Sequence, residues 1–437
     1  MKVEAALRQC SRAPREHDCS LLHVNGTSQR LRIAITDYSG HAFPVQLSRE
    51  LARRGHDVLH LHFADFLTPK GRLSVGSNDP WTLQIEGIKL DRPFAKYSFF
   101  RRRFQEIEIG KRIGNRIADF APDVVVGCQL PLDALNQLVR RCGSDKWPFV
   151  FWQQDIYSTA ISKILTKRLG LAGRLIGAFY RRVERRALKQ SAAVVMIADD
   201  FLKALSATFG ISRSNVHVIE NWGPLAEIPR RSKCNAWSKR HGLENADVVL
   251  YSGTLGLKHD ASKLLALAES LRSRPRSVVV VASEGLSADW LAAESKRRDL
   301  KNLLVLPFQP VESYPDVLAS ADVLVALLEA DAGSFSVPSK VLSYLCAGRA
   351  IVLSAPSENL AFRIVQQSNA GRAVGCDESE AFIGAVRHLL DDEAARQRAA
   401  AFGRKYAETE FDILRIGSRF EKILAGVARP ETKAVPG

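Results

Sequence analysis

Short apolar runs alternate with longer stretches of helical periodicity along almost the whole chain, and this alternation restricts the fold more than any other feature. Apolar run, amphipathic segment and apolar run read as strand, helix and strand, the unit of parallel sheets covered by helices. The first unit is explicit. Residues 31–36 read as a buried strand and residues 37–41 as a loop; a helix then carries Phe43, Leu47 and Leu51 four apart, until Gly55 ends it. Further strands are predicted at 58–63, 124–126, 148–152, 193–198 and 216–219. The pattern then restarts, at 248–252, 277–282, 303–306, 323–327 and 351–354.

Between Trp222 and Asp247 the rhythm breaks, at Pro224, Pro229, a basic cluster and Gly242. With 437 residues the chain exceeds what one core organises, so two domains are expected. The division read from the pattern is an extension at 1–30, a first Rossmann-like domain at 31–225, a linker at 226–246, a second domain at 247–410 and a terminal segment at 411–437. Two doubly wound domains joined this way face each other across a cleft at the carboxyl ends of their strands, where open α/β sheets bind ligands.

Charge is uneven. Residues 1–228 hold 34 basic and 22 acidic side chains, the remainder 28 and 25, within a net +15. A basic first half points to an anionic surface or substrate. Seven scattered cysteines form no Cys-x-x-Cys pair, which argues against zinc and disulfide frameworks and fits a reduced, cytoplasmic compartment. No stretch approaches the ~20 apolar residues of a spanning helix. Residues 1–30 lack the apolar core of a secretory signal and read as a loose extension.

Two segments carry the chemistry. YSGTLGLK, residues 251–258, follows the first strand of the second domain. Gly253 and Gly256 allow a tight turn and close approach of a ligand; N–H groups at 253–256 and the charge of Lys258 suit a phosphate. An ordinary strand-to-helix turn explains the same glycines. The second segment, SFSVPSK at 334–340, leads into a helix that Pro338 can open and Ser336 or Ser339 can cap. Lys340 then lies in the first turn, where the helix dipole disfavours a cation unless an anion sits between them.

LARRGHDV with its preceding Gly40 loop, PDVVVG at 122–127, FWQQDIYS at 151–158, VIENW at 218–222, VVLYSGTLGLKH at 248–259, NLLVLPFQP at 302–310, ASADVLVALL at 319–328 and VPSKVLSYLCAGRAIV at 337–352 occur in this order. Together they resemble the glycosyltransferase family 4 enzymes, the glycosyl transferases group 1 type, of bacterial O-antigen and exopolysaccharide synthesis. The resemblance implies a GT-B fold, with the acceptor on the first domain and a nucleotide-diphosphate sugar, as substrate rather than cofactor, on the second. It further implies retention of anomeric configuration, no metal, and a last helix near 411–423 that returns to brace the first domain. Gly40 resembles the family glycine that approaches the donor phosphate, with His41 beside it a loop residue. Gly253, Thr254, Gly256, Pro338 and Ser339 correspond to donor-binding positions, and Lys258 and Lys340 to the cations that stabilise the departing diphosphate.

One departure stands out. The wider family carries two glutamates eight positions apart; here those positions are Phe335 and Ser343. Ser343 retains a hydroxyl able to bond a ribose, more weakly than a carboxylate. A site so poor in acids suits same-face attack, in which the acceptor hydroxyl passes its proton to the departing phosphate. Asp155, just beyond the 148–152 strand, matches an aspartate common in the related polysaccharide enzymes; it positions the acceptor or assists as a base, or else it caps the helix that starts near Ile156.

Basic and aromatic residues interleave at 94–116 and again at 174–189, as on surfaces that meet anionic membranes. The expectation is thus a metal-independent, hexosyltransferase-type enzyme acting on a lipid-linked glycan for cell-surface polysaccharide, peripheral on the inner face of the cytoplasmic membrane and without a nucleic-acid partner. A catalytically inactive GT-B scaffold of a polysaccharide assembly complex is the alternative, and a nucleotide-sugar epimerase, which needs more cleft carboxylates and histidines, ranks below both.

Overall fold

Thirteen strands among the described residues form two wholly parallel sheets. The computed structural model describes residues 29–428 apart from 67, 69, 96, 97, 212, 257, 258 and 331–338. The first sheet contains β1 (Arg32–Asp37), β2 (Asp57–Phe63), β3 (Leu83–Ile88), β4 (Val124–Cys128), β5 (Phe149–Gln153), β6 (Ala193–Met196) and β7 (Val216–Val218), in the order β3-β2-β1-β4-β5-β6-β7. The second contains β8 (Asp247–Ser252), β9 (Ser277–Ala282), β10 (Leu303–Leu306), β11 (Val323–Leu327), β12 (Ala350–Ser354) and β13 (Gly371–Val374), in the order β10-β9-β8-β11-β12-β13. Strand order reverses between β1 and β4 in one sheet and between β8 and β11 in the other. Each reversal opens a crevice at the strand ends.

Burial on both faces explains the continuous apolar runs. Along β1, Ile33 and Ile35 enter one core and Ala34 the other; along β4, Val124 and Val126 part from Val125 in the same way. Two strands escaped the sequence reading, β3 and β13. Both lie at sheet edges, where half-exposed side chains (LQIEGI and GRAV) dilute the apolar signal.

The segment read as a linker is packed rather than loose. Trp222, Ile228, Trp237 and Leu243 are buried in the core shared by both domains. Arg231 pairs with Asp316 at 2.8 Å and Lys233 with Asp322 at 2.5 Å, which fastens the basic cluster to the second domain. The helix Ile413–Val427 packs against the helix Ala42–Arg53 of the first domain: Glu421 bonds Arg54 at 3.0 Å and His56 at 3.2 Å. Phe420 reaches Trp152 of β5 with ring centroids 4.7 Å apart. Asp392 accepts from Ala395 N at 2.8 Å and starts the helix Glu393–Glu410, which accounts for the acidic cluster there.

Candidate active site

A cleft of about 820 Å³ runs between the two sheets and is lined from both strand-order reversals. Residues beyond β1 (Ser39, His41) and β4 (Gln129) face residues beyond β8 (Gly253, Thr254) and β11 (Leu328). Topology alone therefore delivers the ends of four strands to one space.

On the second-domain wall Lys340 opens the helix Lys340–Ala347. Its Nζ lies 3.9 Å from the centroid of the Tyr251 ring, donates to the Tyr251 hydroxyl, and reaches Thr254 O at 3.3 Å. Cation–π contact and carbonyl oxygen thus offset the unfavourable dipole at this helix start. Burial pulls the Lys340 pKa down to about 7, so an anion brought into the cleft would restore its charge. Gly253, with φ +129°, makes room for this lysine: a Cβ there would stand 3.2 Å from Lys340 Cε. Ser343 lines the cleft one turn further on, near Tyr314. Below them Tyr344 Oη accepts from Ser252 N at 2.9 Å and donates to Ser252 O at 3.1 Å, which fixes the helix to the end of β8.

Three of the four N–H groups expected to cradle a phosphate at 253–256 already have partners within the chain. Gly253 N donates to Ala282 O, Leu255 N to Ser283 Oγ and Gly256 N to His259 Nδ1. Those donors are already engaged, and Gly256 is set back from the cleft while Thr254 lines it. Ser339 also lines the cleft but makes no side-chain cap bond. Lys258 and Pro338, together with Ser336 and Phe335, lie outside the described residues.

On the first-domain wall Gly40 is likewise set back. Its φ is +72°, its carbonyl accepts from Gly71 N at 2.8 Å, and a Cβ there would stand 2.7 Å from Leu73 Cδ1. The positive φ is what calls for glycine here, and His41 rather than Gly40 faces the cleft. Asp37 accepts from Ser39 N at 3.2 Å and His41 N at 2.6 Å; burial outweighs these bonds and lifts its pKa to about 7. Lys70, whose charge favours the Asp37 carboxylate, lines the same wall and donates to Ala64 O at 2.5 Å.

Asp155 lines the cleft two residues past β5. It is not the cap of the helix Tyr157–Gln190. The first N–H groups of that helix, Tyr157 N and Ser158 N, donate at 3.1 Å to the buried Glu184, which arrives from the far half of the same helix. Nearby, Asn221 donates to Gln154 Oε1 at 2.5 Å, while its own Oδ1 is buried with no partner among the described residues; a hydroxyl bound in the cleft would satisfy it.

The sequence reading thus has Asp155, Gly253, Thr254, Ser339, Lys340 and Ser343 on one cleft. It missed Tyr251, Tyr314, Tyr344, Asp37 and Lys70. Tyr251 and Lys340 are 89 residues apart, and no local pattern announces that they meet.

Two parallel-sheet domains of the Rossmann kind, facing each other across a cleft, define a protein of the GT-B architecture. The chain belongs to the glycosyl transferases group 1 family: residues 42–224 match the model for Glycosyltransferase Family 4 and residues 235–406 that for Glycosyl transferases group 1. Among curated proteins, Escherichia coli (strain K12) WcaI, which bears the name of a colanic acid biosynthesis glycosyl transferase, is 24% identical over 46% of this chain and 50% of its own length. A glycogen synthase of Mycobacterium tuberculosis is also 24% identical, over 61% of this chain and 62% of its own. The chain therefore spans about half to three-fifths of the curated relatives it matches. Anabaena Alr3699/HepE, solved with UDP and glucose, superposes with a TM-score of 0.65 at 15% identity over 91% of this chain and 100% of that one. WaaG, a glycosyltransferase involved in lipopolysaccharide biosynthesis, gives 0.63 at 17% over 90% and 100%. No described helix is long and apolar enough to cross a membrane.

Proposed function

We propose that this chain is a retaining glycosyltransferase that moves a hexose from a nucleotide-diphosphate sugar to a lipid-linked glycan in cell-surface polysaccharide synthesis. The observation that carries the reading is Lys340, held over Tyr251 in a cleft large enough for both substrates. The relatives point the same way: Alr3699/HepE was solved with UDP and glucose, and WcaI and WaaG are named for polysaccharide and lipopolysaccharide synthesis.

The donor lies with its diphosphate against Lys340 and its ribose near Ser343. As the sugar–phosphate bond breaks, the leaving diphosphate gains negative charge, and a fully protonated Lys340 stabilises it. The acceptor hydroxyl attacks from the same face and gives its proton to the departing phosphate oxygen. Asp155, on the opposite wall, orients that hydroxyl. Lysine and hydroxyl groups carry the diphosphate in this reading, with no metal, and the protein works at the cytoplasmic face of the membrane.

The test is product stereochemistry. Nucleotide-sugars are incubated with the protein and a bacterial lipid extract, and the anomeric coupling of the transferred sugar is read by NMR. Retention of the donor configuration is expected; inversion overturns the proposed mechanism, and absence of transfer from every donor favours the inactive scaffold.

A further inference from the structure

The helix Tyr157–Gln190 is a hairpin. Gly170, with φ 55° and ψ −124°, breaks it into two halves that fold back on each other. Arg181 of the second half donates to Ser162 Oγ of the first at 2.8 Å. The contact is close because it is made at glycines: a Cβ on Gly173 would stand 2.0 Å from Leu165 O, and one on Gly177 2.5 Å from Ser162 Oγ.

What this hairpin shows to solvent is unusual. Leu171 is 77% exposed and Leu175 74%, with Leu169 and Ile164 half exposed beside them. Nine Lys and Arg side chains lie between residues 157 and 190, all exposed, against a single acid, Glu184, which is buried. The outer surface is thus apolar at the tip and wholly cationic along its flanks. Arg181, Arg182, Arg185, Arg186 and Lys189 line a shallow groove of about 670 Å³. The neighbouring helix Phe99–Phe120 continues the pattern: Phe100 is 75% exposed and Phe104 70%, and Arg103 stacks over Phe179 of the hairpin at 5.2 Å.

We propose that the tip of this hairpin, residues 169–175, inserts into an anionic phospholipid bilayer while the exposed Lys167, Arg168 and Arg174 beside it meet lipid phosphates and the arginine groove further up extends the positive flank. Exposed leucines cost free energy in water and gain it in acyl chains, and the uninterrupted positive flank complements an anionic headgroup layer. A soluble protein partner would be expected to meet some acid on such a surface. This placement deepens the proposed function and rests on it. The first half of the hairpin begins at Tyr157, beside Asp155, and spans roughly 20 Å at 1.5 Å per residue. A docked tip holds the acceptor wall of the cleft at that height above the bilayer, within reach of a glycan on a lipid diphosphate.

The experiment uses the full chain and vesicles of phosphatidylcholine, with or without 30% phosphatidylglycerol. Co-sedimentation with the anionic vesicles only is expected. Leu171→Asp with Leu175→Asp should weaken it at least about tenfold, with an unchanged melting temperature and an unchanged shift on adding nucleoside diphosphate. In Leu171→Trp, indole emission should move to the blue on anionic vesicles and be quenched by brominated acyl chains. No vesicle binding, equal binding by the double-aspartate variant, or an unshifted indole overturns insertion. A halved solution mass in the double-aspartate variant, without vesicle binding by wild type, assigns the leucines to self-association instead. Loss of the nucleotide response with intact vesicle binding counts against the proposed function alone.

Discussion

The two cleft walls share one backbone plan and differ in what stands on it. Each sheet reverses strand order at its centre, after β1 and after β8, and each presents a glycine-containing turn there. In both turns most of the backbone donors are spent internally. Ser39 N and His41 N go to the Asp37 carboxylate; Gly253 N, Leu255 N and Gly256 N go to Ala282, Ser283 and His259. The walls therefore differ in which side chains stand at the cleft: Lys340 over Tyr251 on one, Asp155 with Lys70 on the other. A shared topology fixes where a ligand sits, and in the proposed function a few side chains decide which half of the reaction each wall serves.

That division of labour can be broken from the donor side first. Lys340→Ala should lower turnover by about 10²–10³-fold, the usual cost of removing one preorganised donor to a developing anion, and abolish the nucleotide response. Steady-state kinetics on variant protein of unchanged circular dichroism checks it. Asp155→Asn should cost about 10²-fold in turnover yet leave nucleotide binding intact, since it stands on the other wall. If Asp155→Asn loses nucleotide binding instead, the walls are not specialised.

Proton linkage sharpens the contrast. With its pKa drawn down to about 7, Lys340 is largely neutral at pH 8; a diphosphate that restores its charge must bring in a proton. Nucleotide affinity should therefore fall as pH rises above 7. Calorimetry in buffers of different ionisation heat should show proton uptake on nucleotide binding at pH 8 that nearly disappears at pH 6. A smaller effect belongs to Ser343→Ala, which removes one hydroxyl and should weaken nucleotide binding about two- to tenfold.

On the first domain Glu184 gives a stability test. Burial lifts its pKa to about 7, above its unfolded value, so its contribution is complete below the unfolded pKa and is lost as pH rises through 7. Glu184→Gln should flatten that part of the decline in melting temperature between about pH 5 and pH 8, by a few degrees at most.

Much of the fold was legible because parallel strands buried on both faces leave uninterrupted apolar runs; only the edge strands β3 and β13, with solvent on one side, hid among polar residues. The site was legible less completely. Lys340 stood out by its misfit at a helix start, and Asp155 by its place after a strand. Three of the four N–H groups expected at 253–256 are engaged elsewhere, and a glycine-rich turn in sequence gives no sign that Ser283, 28 residues on, has already claimed one of them. The Tyr251–Lys340 contact and the Glu184 cap join residues far apart in the chain, so only the folded chain discloses them.

The most direct measurement is thermal unfolding of wild type and Lys340→Ala against UDP, GDP, ADP, CMP and dTDP without added metal. A ligand that binds only the native state must raise the melting temperature. A rise with one nucleoside diphosphate in wild type, absent in Lys340→Ala, is the predicted result. An equal rise in both proteins, or no rise with any nucleotide, would contradict the assignment of this wall to the donor.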